Sequence, residues 1–340
     1  MNNSPFIKAC LKQKTEFTPV WYMRQAGRCI PEYRKIRKKY DVLTISKTPE
    51  LAAKVTLQPV EIMGVDAAIL FADIMIPLIS MGIELELVDS VGPIILNPVQ
   101  NRRDVEKIKV NNPEKDYAYL RETIGIIKQS LSIDKAVIGF CGAPFTLASY
   151  LIEGRPTREF IKTKKFINEQ PETWNLLMDK LTNAMILYLR EQIKAGIDAY
   201  QVFDSWVGFL SYEDFIKYVL PYSKRIFTSL KNEGIPSIHF GTNTGYFLKE
   251  FASVECDVVS IDWRIPINIA WKKIGYKKSI QGNLDPVVLM NNFSVIQSKV
   301  DEIFNSLPSR EGFIFNLGHG ILPDTPLINL IKLTEYVHSK

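Results

Sequence analysis

Cysteine is scarce in this sequence, and the few cysteines stand far apart. The four, Cys10, Cys29, Cys141 and Cys256, provide neither a CxxC metal or redox motif nor the close spacing of a small disulfide scaffold. The N-terminal residues also lack the basic region and long apolar stretch of a secretory signal. The sequence therefore predicts a cytoplasmic protein with reduced thiols.

Long hydrophobic runs and long runs of one charge are missing as well. The most apolar stretch, residues 67–83, is short for a membrane span and is interrupted by Asp73 and Pro77. Lys and Arg exceed Asp and Glu by 42 − 37 = 5, without a basic run of the kind that binds nucleic acid. We therefore expect neither a membrane nor a nucleic acid as a partner, and we interpret the basic excess as a basic pocket.

The phosphate-binding loops of doubly wound nucleotide-binding folds are also missing, because neither GxGxxG nor GxxxxGK[ST] occurs. Short β-branched and aromatic runs instead alternate with longer helix-patterned stretches, which is typical of βα units around a parallel sheet. Helices are predicted over stretches such as 49–63, 174–195 and 212–230. Eight strands are predicted, at 20–23, 67–71, 136–140, 199–203, 237–240, 258–261, 279–281 and 313–316.

The number of predicted strands favours the α/β class and one closed (β/α)8 barrel of the TIM type over an open doubly wound sheet. Residues 83–96 are predicted to form a strand-rich excursion after the second strand. No linker rich in Ser, Gly or Pro, low-complexity tract or short repeat divides the chain. We therefore expect a single domain over residues 1–340.

Polar residues follow most of the predicted strands, where a barrel of this kind builds its active site. Arg24 and Arg28 follow the first strand, Asp73 the second and Ser205 the fourth, while His319 lies after the eighth. The carboxyl ends of parallel strands meet at one face, so we expect these side chains to surround one mouth. Further candidates at strand ends are Asp204, His239, Asp262, Trp263 and Gln281.

Asp73 differs from the other acidic candidates because it interrupts an apolar run, AILFADIMIP. A carboxylate in apolar surroundings needs hydrogen-bond donors to offset a desolvation cost on the order of several kcal/mol. Donors on a ligand are favoured here over a helix cap or a turn. Asp204, Ser205 and Asp262 fit a cap or a turn equally well.

The two arginines flank a small-residue turn, QAG, from which guanidinium groups can bind carboxylates in bidentate fashion. Arg24 and Arg28 therefore predict a polyanionic substrate. Arg34 and Arg37, with the lysines between and after them, also fit the solvated face of a helix.

The histidines give a weak metal signal. His319 lies between two glycines, which permit close approach of a ligand, and a buried core position is the alternative for it and still more for His239. His338 is expected at the surface of the last helix. Neither strand-end histidine has a cysteine or carboxylate at recognised ligand spacing, so no metal site is predicted. A GxSxG hydrolase motif is also missing.

Several motifs resemble those of the uroporphyrinogen decarboxylase family. Residues 19–28, PVWYMRQAGR, with PEYR soon after them, resemble its N-terminal signature, and residues 138–150, IGFCGAPFTLASY, resemble its second signature. The segments FADI, QGNLDP and NLGHG agree further, so the resemblance runs from about residue 19 to about residue 326. One departure is Cys29, which stands where the family usually has tyrosine, and we expect it to affect local packing alone.

The resemblance implies a single barrel, a homodimer with facing active-site mouths, and a carboxy-lyase of haem biosynthesis that needs no metal or organic cofactor. The reaction would remove the four acetate carboxyl groups of uroporphyrinogen III as CO₂ to give coproporphyrinogen III. Arg24, Arg28 and Arg37 would bind substrate carboxylates, and Asp73 would face the pyrrole nitrogens and act with Arg24 in catalysis. The residues implied to contact substrate side chains are Tyr150, Ser205 and His319.

Two other interpretations fit the sequence less well. A zinc- or corrinoid-dependent methyltransferase of the related barrel superfamily would need a zinc-bound thiolate site, and no cysteine ligand lies near His239. A tetrapyrrole-binding protein with a degenerate barrel would not need arginine, aspartate and histidine at separate strand ends. The metal content of the protein and its reaction products would distinguish the three.

Overall fold

Seven parallel strands form the main sheet of the protein. The structure, a computed structural model, describes residues 3–88 and 91–340. The strands among these residues are β1 (Ala67–Ile69), β2 (Leu85–Val88), β3 (Gly92–Ile95), β4 (Ala136–Gly142), β5 (Ala199–Asp204), β6 (Ser237–Gly241), β7 (Val258–Ile261), β8 (Ser279–Leu284) and β9 (Phe313–Leu317). The order in the main sheet is β1-β4-β5-β6-β7-β8-β9, and every neighbouring pair is parallel.

Helices precede the sheet, lie between its strands, as crossover connections between parallel strands require, and follow the last strand. They are α1 (Pro5–Cys10), α2 (Pro31–Arg37), α3 (Val42–Lys47), α4 (Pro49–Met63), α5 (Ile76–Ser80), α6 (Arg102–Lys107), α7 (Pro113–Asp116), α8 (Ala118–Ser130), α9 (Pro144–Glu153), α10 (Ile161–Glu169), α11 (Pro171–Ala195), α12 (Tyr212–Tyr218), α13 (Leu220–Leu230), α14 (Leu248–Phe251), α15 (Ile267–Lys273), α16 (Phe293–Ser306) and α17 (Leu327–His338). Two short 3-10 helices are Val207–Phe209 and Pro286–Met290.

The first predicted strand, residues 20–23, is wrong as a regular strand. Val20 forms one isolated parallel bridge to Phe315 of β9. Beyond this bridge a side chain replaces the backbone partner, because Asn316 Oδ1 accepts a hydrogen bond from the Met23 amide at 3.1 Å. The apolar pattern of a strand is present, but the tertiary partners of the segment end its ladder after one residue.

Asp66 connects the same segment to the other edge of the sheet, beside β1. Its amide donates to Val20 O and its Oδ2 accepts from the Val20 amide, both at 2.8 Å. Lys135 Nζ lies 2.9 Å from Asp66 Oδ1, and His338 Nε2 lies 2.8 Å from Oδ2. His338, which we expected at the surface, is therefore half-buried and ties the last helix to this carboxylate.

The other seven predicted strands are confirmed, with ends that differ by three residues or fewer. Five of them continue beyond the predicted end, and every residue of β4 to β9 is buried. Strand β1 instead ends at Ile69, before the predicted end at Phe71. The Phe71 amide has left the ladder and donates to Thr56 Oγ1 at 2.9 Å.

The predicted helix over 212–230 is wrong in one respect, because the chain forms two helices there. Helices α12 and α13 meet at Val219, whose φ of −126° and ψ of −51° are not helical. Pro221 lies in the first turn of α13, where its missing amide costs no hydrogen bond. In the middle of one continuous helix the same proline would remove a bond and clash with the preceding turn.

The predicted excursion over residues 83–96 contains a two-stranded antiparallel sheet. Strands β2 and β3 pair with Leu85 opposite Ile95, and the Ile95 amide donates to Gly154 O at 2.8 Å, just beyond α9. Asp89 and Ser90 of this excursion lie outside the described residues. The contact with Gly154 holds the two-stranded sheet beside the end of α9.

Two properties of the described residues bear on the expectations from composition. No helix in residues 3–88 or 91–340 is long and apolar enough to cross a membrane. The four cysteines are buried free thiols.

Candidate functional site

A cavity of about 660 Å³ opens at the carboxyl ends of the strands. Three parts of the chain form most of it: the turn after Val20, the segment from β1 through β2 and β3, and the ends of β4 and β5. Its volume is within the range of small-molecule sites. The lining residues that can carry charge or donate hydrogen bonds from their side chains are Arg24, Arg28, Cys29, Tyr33, Asp73, Tyr150 and Ser205.

Arg24 and Arg28 both line this cavity, and both are exposed in it. Arg24 has a φ of 61°, in the left-handed region that side chains other than glycine rarely adopt. Gly27 packs against the same turn so closely that a Cβ there would lie 2.9 Å from Arg24 O. The tight QAG turn thus places both arginines at the predicted mouth.

Asp73 lines the cavity beyond the end of β1. Its Oδ1 accepts one hydrogen bond, from the Met75 amide at 2.8 Å, so the turn interpretation is correct for one oxygen. Among the described residues no donor bonds to Oδ2, which leaves this oxygen available to a ligand. Burial raises the pKa of the Asp73 carboxyl, against the opposing effects of the Met75 amide and the Arg24 charge.

Tyr150 and Ser205 complete the predicted residues that line the cavity. Tyr150 belongs to α9, and its ring packs on Trp206 with 3.8 Å between the ring centroids. Burial and the nearby Asp73 charge raise the pKa of the Tyr150 hydroxyl, whereas Arg24 lowers it. Tyr150 is therefore a neutral hydrogen-bonding group in the same electrostatic environment as Asp73 and Arg24.

His319 lies behind Arg24, outside the cavity lining. A Cβ on the adjacent Gly320 would lie 2.4 Å from Arg24 Cδ, so this glycine permits the arginine side chain to cross the loop. Burial, together with the charges of Arg24 and Arg264, lowers the pKa of His319 to about 4. At neutral pH the imidazole is uncharged and can offer a hydrogen bond but no positive charge.

Arg37 is also outside the cavity lining. It is the last residue of α2, and its Nη1 donates to Tyr40 O at 2.6 Å, just beyond the end of that helix. This bond fits the alternative that we gave for Arg37, a side chain on the solvated face of its helix. Of the three arginines implied to bind carboxylates, Arg24 and Arg28 line the same cavity, and Arg37 is not among the lining residues.

Two further strand-end candidates have structural partners. Asp262 Oδ2 accepts from the Asn243 amide at 2.8 Å and pairs with the Arg264 guanidinium. Gln281 accepts from Trp21 Nε1 at 2.8 Å and donates to Gln201 Oε1 at 3.0 Å, which forms a polar layer in the buried interior. Neither residue lines the cavity.

His239 is a core residue, as its alternative interpretation held. Its ring lies between Phe227 and Phe251, with centroid distances of 5.0 Å and 3.8 Å. Neither ring nitrogen has a hydrogen-bond partner among the described residues, and burial lowers the pKa of His239 to about 3. The imidazole is uncharged and acts as an aromatic packing group.

The sequence did not reveal the apolar walls of the cavity. Phe140 and Phe203 come from the adjacent strands β4 and β5, with edge-to-face rings 5.5 Å apart, and Leu87 and Val91 come from the two-stranded sheet and its edge. The signal available was that both phenylalanines end predicted strands. Cys29 also lines the cavity, so its substitution for tyrosine changes the cavity wall as well as local packing.

Asp204 does not line the cavity but is fully buried beside it. Its Oδ1 accepts from Thr146 Oγ1 at 2.8 Å, while Oδ2 has no partner among the described residues. Burial raises the pKa of this carboxyl to about 7, and the Thr146 bond opposes the shift. The folded protein therefore favours the protonated carboxyl.

This raised pKa predicts a pH-dependent stability difference between the protein and its Asp204→Asn variant. Below the ordinary aspartate pKa both the folded and the unfolded chain hold the proton, so ionisation of Asp204 does not lower the free energy of unfolding. As pH rises towards 7, Asp204 ionises in the unfolded chain before it ionises in the folded one. The free energy of unfolding of the parent then falls by roughly 1.4 kcal/mol per pH unit relative to that of the variant. Denaturant unfolding should show that the variant is more stable relative to the parent at pH 8 than at pH 5. The same difference in unfolding free energy at both pH values would contradict the raised pKa.

The described part of the chain offers no cluster of three or more His, Cys, Asp or Glu side chains placed to hold a metal ion. The carboxylate in the cavity lining, Asp73, shares that lining with Arg24 and Arg28 and with no second carboxylate or histidine among the described residues.

Comparisons with known proteins give the same family along the whole chain. The family model described as uroporphyrinogen decarboxylase matches residues 1–340. The uroporphyrinogen decarboxylase of Carboxydothermus hydrogenoformans is 50% identical over 336 residues, covering 99% of this chain and 96% of that protein. The uroporphyrinogen decarboxylase of Bacillus subtilis is 47% identical over 336 residues, covering 99% and 95%.

Among solved structures, a methyltransferase from Methanosarcina mazei is similar in fold, with a TM-score of 0.83, 19% identity, and coverage of 98% of this chain and 97% of that one. That identity is low enough that the likeness shows the fold alone. The family match and the much higher identity to the two decarboxylases show that this chain belongs to the uroporphyrinogen decarboxylase family.

Proposed function

We propose that the cavity at the carboxyl ends of the strands is where this chain, as a uroporphyrinogen decarboxylase, removes the acetate carboxyl groups of its substrate. The observation that carries this proposal is the joint placement of Arg24, Arg28 and Asp73 in one apolar-walled cavity. Two cationic side chains suit a substrate with several carboxylates. One carboxylate suits the N–H groups of a tetrapyrrole.

The arginines bind and orient the substrate in this proposal. A guanidinium group presents two parallel N–H donors to a carboxylate, so it fixes direction as well as supplying charge. Arg24 lies close enough to Asp73 to affect the pKa of that carboxyl. It can therefore hold an acetate carboxylate while the adjoining pyrrole contacts Asp73.

Decarboxylation needs a place for the electron pair of the breaking C–C bond. Protonation of the pyrrole carbon next to the acetate gives an azafulvenium-like cation, which accepts that pair as CO₂ leaves. The resulting methylene carbon then takes up a proton to become a methyl group, and the ring carbon loses the proton it first gained, which restores the pyrrole. The net change takes up one proton for each CO₂ released. The substrate itself supplies the electron sink.

Asp73 stabilises that cation in the proposed mechanism. Its Oδ2 is available to pyrrole N–H groups, while Oδ1 stays on the Met75 amide and keeps the side chain in place. The positive charge on the pyrrole is larger in the transition state than in the bound substrate. A fixed negative charge beside it therefore lowers the barrier, which uniform binding would not do.

The acidity of the lining side chains determines which of them can take part in the proton transfer. Asp73 is the one carboxylic acid among the described lining residues. An arginine holds its proton too firmly to donate it at neutral pH. Arg24 therefore acts in catalysis by positioning a carboxylate and does not serve as the general acid.

Tyr150, Ser205 and His319 are assigned to the substrate side chains. Tyr150 and Ser205 line the cavity with neutral hydroxyl groups, whereas His319 reaches substrate past Arg24 as a neutral imidazole. Arg37 belongs to the same assignment by family resemblance, but its contact with Tyr40 O gives this role no support.

We further infer a closed eight-stranded barrel forming one domain. The segment at Val20 takes the eighth position, because it bonds to Phe315 of β9 on one side and to Asp66, beside β1, on the other. Residues 1–340 then make a single domain around one core. The four buried free thiols suit the cytoplasm, which we keep as the proposed location.

The family resemblance also implies a homodimer, and exposed apolar side chains, one of them in the cavity lining, support it. Val91, Leu96 and Phe209 are 50%, 54% and 43% exposed. Val91 also lines the cavity, so a second copy seated on this surface would face the mouth. Sedimentation equilibrium at micromolar concentration should give twice the chain mass of 38.9 kDa, and a monomer would contradict this assembly.

Anaerobic incubation with uroporphyrinogen, followed by chromatography of the acid products, tests the function directly. We expect the eight-carboxyl substrate to be converted to the four-carboxyl product with release of CO₂.

Exhaustive chelation should leave the rate unchanged, since the described residues include no set of metal ligands. Activity lost on chelation and restored by zinc or another divalent metal would contradict the cofactor-independent mechanism. Running defined type I and type III isomers shows the isomer preference in the same assay.

A further inference from the structure

The end of β5 and the start of α9 are joined by one hydroxyl group, that of Thr146. Thr146 Oγ1 donates to Asp204 Oδ1 at 2.8 Å and accepts from the Trp206 amide at 3.3 Å. Thr146 and Asp204 are both fully buried. A threonine hydroxyl has one proton to give and lone pairs to accept with, so it serves both partners at once.

The Trp206 side chain, in turn, lies against a residue of the cavity wall. Its indole ring packs on Tyr150 with 3.8 Å between centroids and 33° between planes. Phe160 also packs on the indole, edge to face, with 4.8 Å between the ring centroids. The position of the Tyr150 ring therefore depends on where the backbone and indole of Trp206 are held.

Thr146 and Tyr150 are four residues apart on α9, so their side chains lie on the same face of the helix, one turn apart. The helix thus contacts the end of β5 twice, through the hydroxyl of Thr146 and through the ring of Tyr150. Asp204 supplies the acceptor that orients the Thr146 hydroxyl. Its partner-free Oδ2 shows that no other described residue holds this carboxyl in place of Thr146.

We propose that Asp204 and Thr146 are positioning residues, which fix Trp206 behind the Tyr150 ring and so set where the Tyr150 hydroxyl meets the substrate. This inference rests on the proposed role of Tyr150 in binding substrate. Neither Asp204 nor Thr146 lines the cavity, so their effect is expected on substrate binding through Tyr150 and not on the chemical step.

The decisive variant is Thr146→Val, which keeps the shape of the side chain and removes the hydroxyl. We expect KM for uroporphyrinogen to rise about five- to tenfold with kcat within about twofold of the parent, the signature of lost binding. Thr146→Ser restores the hydroxyl and should bring KM back to within about twofold. Thr182→Val is the matched control, because Thr182 is buried and donates to Met178 O inside α11, and it should leave KM unchanged.

A double-mutant cycle with Tyr150→Phe tests whether the effect passes through Tyr150. If Tyr150 carries it, Thr146→Val should add less than about twofold to KM in the Tyr150→Phe background. The same penalty in both backgrounds, or a parental KM in Thr146→Val itself, would overturn the inference. If Thr146→Val fails to fold, Trp206→Phe provides the second route: Trp206 is half-buried, and the smaller ring should raise KM by about threefold, whereas an unchanged KM would overturn the inference.

Trp206 fluorescence reports the positioning without substrate. Subtracting the emission of a protein that carries Trp206→Phe from the emission of the same protein with Trp206 isolates the emission of this indole from that of the other tryptophans. Thr146→Val should change this difference spectrum, and Thr182→Val should not. An unchanged spectrum would overturn the inference. A parental KM in Tyr150→Phe would instead show that the proposed binding role of Tyr150 is wrong, and a changed Trp206 emission in Thr146→Val would still support the positioning of the indole.

Discussion

Replacing Asp73 by asparagine should reduce turnover about a hundredfold or more, by analogy with the loss of one preorganised charge-stabilising group in other active sites. Asparagine keeps the size and shape of the side chain. Its Oδ1 can still accept from the Met75 amide, so the turn beyond β1 should keep its geometry. What the variant loses is the negative charge that the pyrrolic cation needs.

The stability of the Asp73→Asn variant separates a catalytic effect from a folding effect. Burial raises the pKa of this carboxyl, so the folded protein disfavours its ionised form. Removing the charge should therefore leave the melting temperature unchanged or raise it, as expected when function keeps a charge in an unfavourable place. A variant that is inactive because it unfolds would contradict the assignment.

Asp285→Asn is a matched control for the turn. Asp285 is also half-buried and accepts from an amide two residues ahead, that of Val287, at 3.0 Å, but it does not line the cavity. We expect its turnover to stay within about threefold of the parent, because the asparagine can keep the same bond. Parental turnover in Asp73→Asn would show that Asp73 only stabilises the turn beyond β1 and does not act in catalysis.

Arg24→Ala should give the second large effect, a loss of about thirtyfold or more in kcat/KM. A carboxylate that loses its guanidinium partner in a desolvated complex costs roughly 2–5 kcal/mol, and about 2 kcal/mol corresponds to that factor. The lower end applies because both arginines are exposed in the empty cavity, where water also solvates them. Arg28→Ala should follow the same direction.

Two controls accompany the arginine variants. Arg24→Lys keeps a charge but loses the two-pronged donor and should recover activity in part. Lys35→Ala, on α2 and outside the cavity lining, should leave kcat/KM close to the parent value. Near-normal kcat/KM in both Arg24→Ala and Arg28→Ala would show that these arginines are solvated charges that do not bind the substrate carboxylates.

Arg24→Ala also has an effect that needs no substrate. The Arg24 charge helps to lower the pKa of His319, which is about 4 in the parent. Titration of His319 by NMR should therefore show a higher pKa in Arg24→Ala. An unchanged pKa of His319 would mean that the Arg24 charge does not act on it, and would contradict the position of His319 behind Arg24.

The strands were predictable from the sequence because burial on both faces of a parallel sheet leaves short apolar runs. The segment at Val20 has the same pattern, but a side-chain amide far along the chain, Asn316 Oδ1, takes the Met23 amide out of the ladder. Nothing in a local pattern encodes such a tertiary partner. The break at Val219, in contrast, was readable from Pro221, since a proline in mid-helix costs a hydrogen bond and a clash.

The candidate site was predictable where a residue's position along the chain fixes its position in space. Ser205 follows β5 directly and Asp73 comes four residues after β1, and the sheet brings both to one mouth. Arg37 is part of a helix, and whether its side chain turns towards the cavity or towards Tyr40 depends on packing that the sequence does not display. Cys29 is in the wall for the same reason that Arg24 and Arg28 are, because all three belong to the tight turn after Val20.

The most direct test is a crystal structure of the protein grown anaerobically with coproporphyrinogen, the reaction product. We expect the macrocycle in the cavity with pyrrole N–H groups within about 3 Å of Asp73 Oδ2, the ordinary length of a charge-assisted hydrogen bond. Propionate carboxylates should pair with Arg24 and Arg28. A macrocycle bound elsewhere, or one in the cavity whose pyrrole nitrogens do not reach Asp73, would contradict the proposed mechanism.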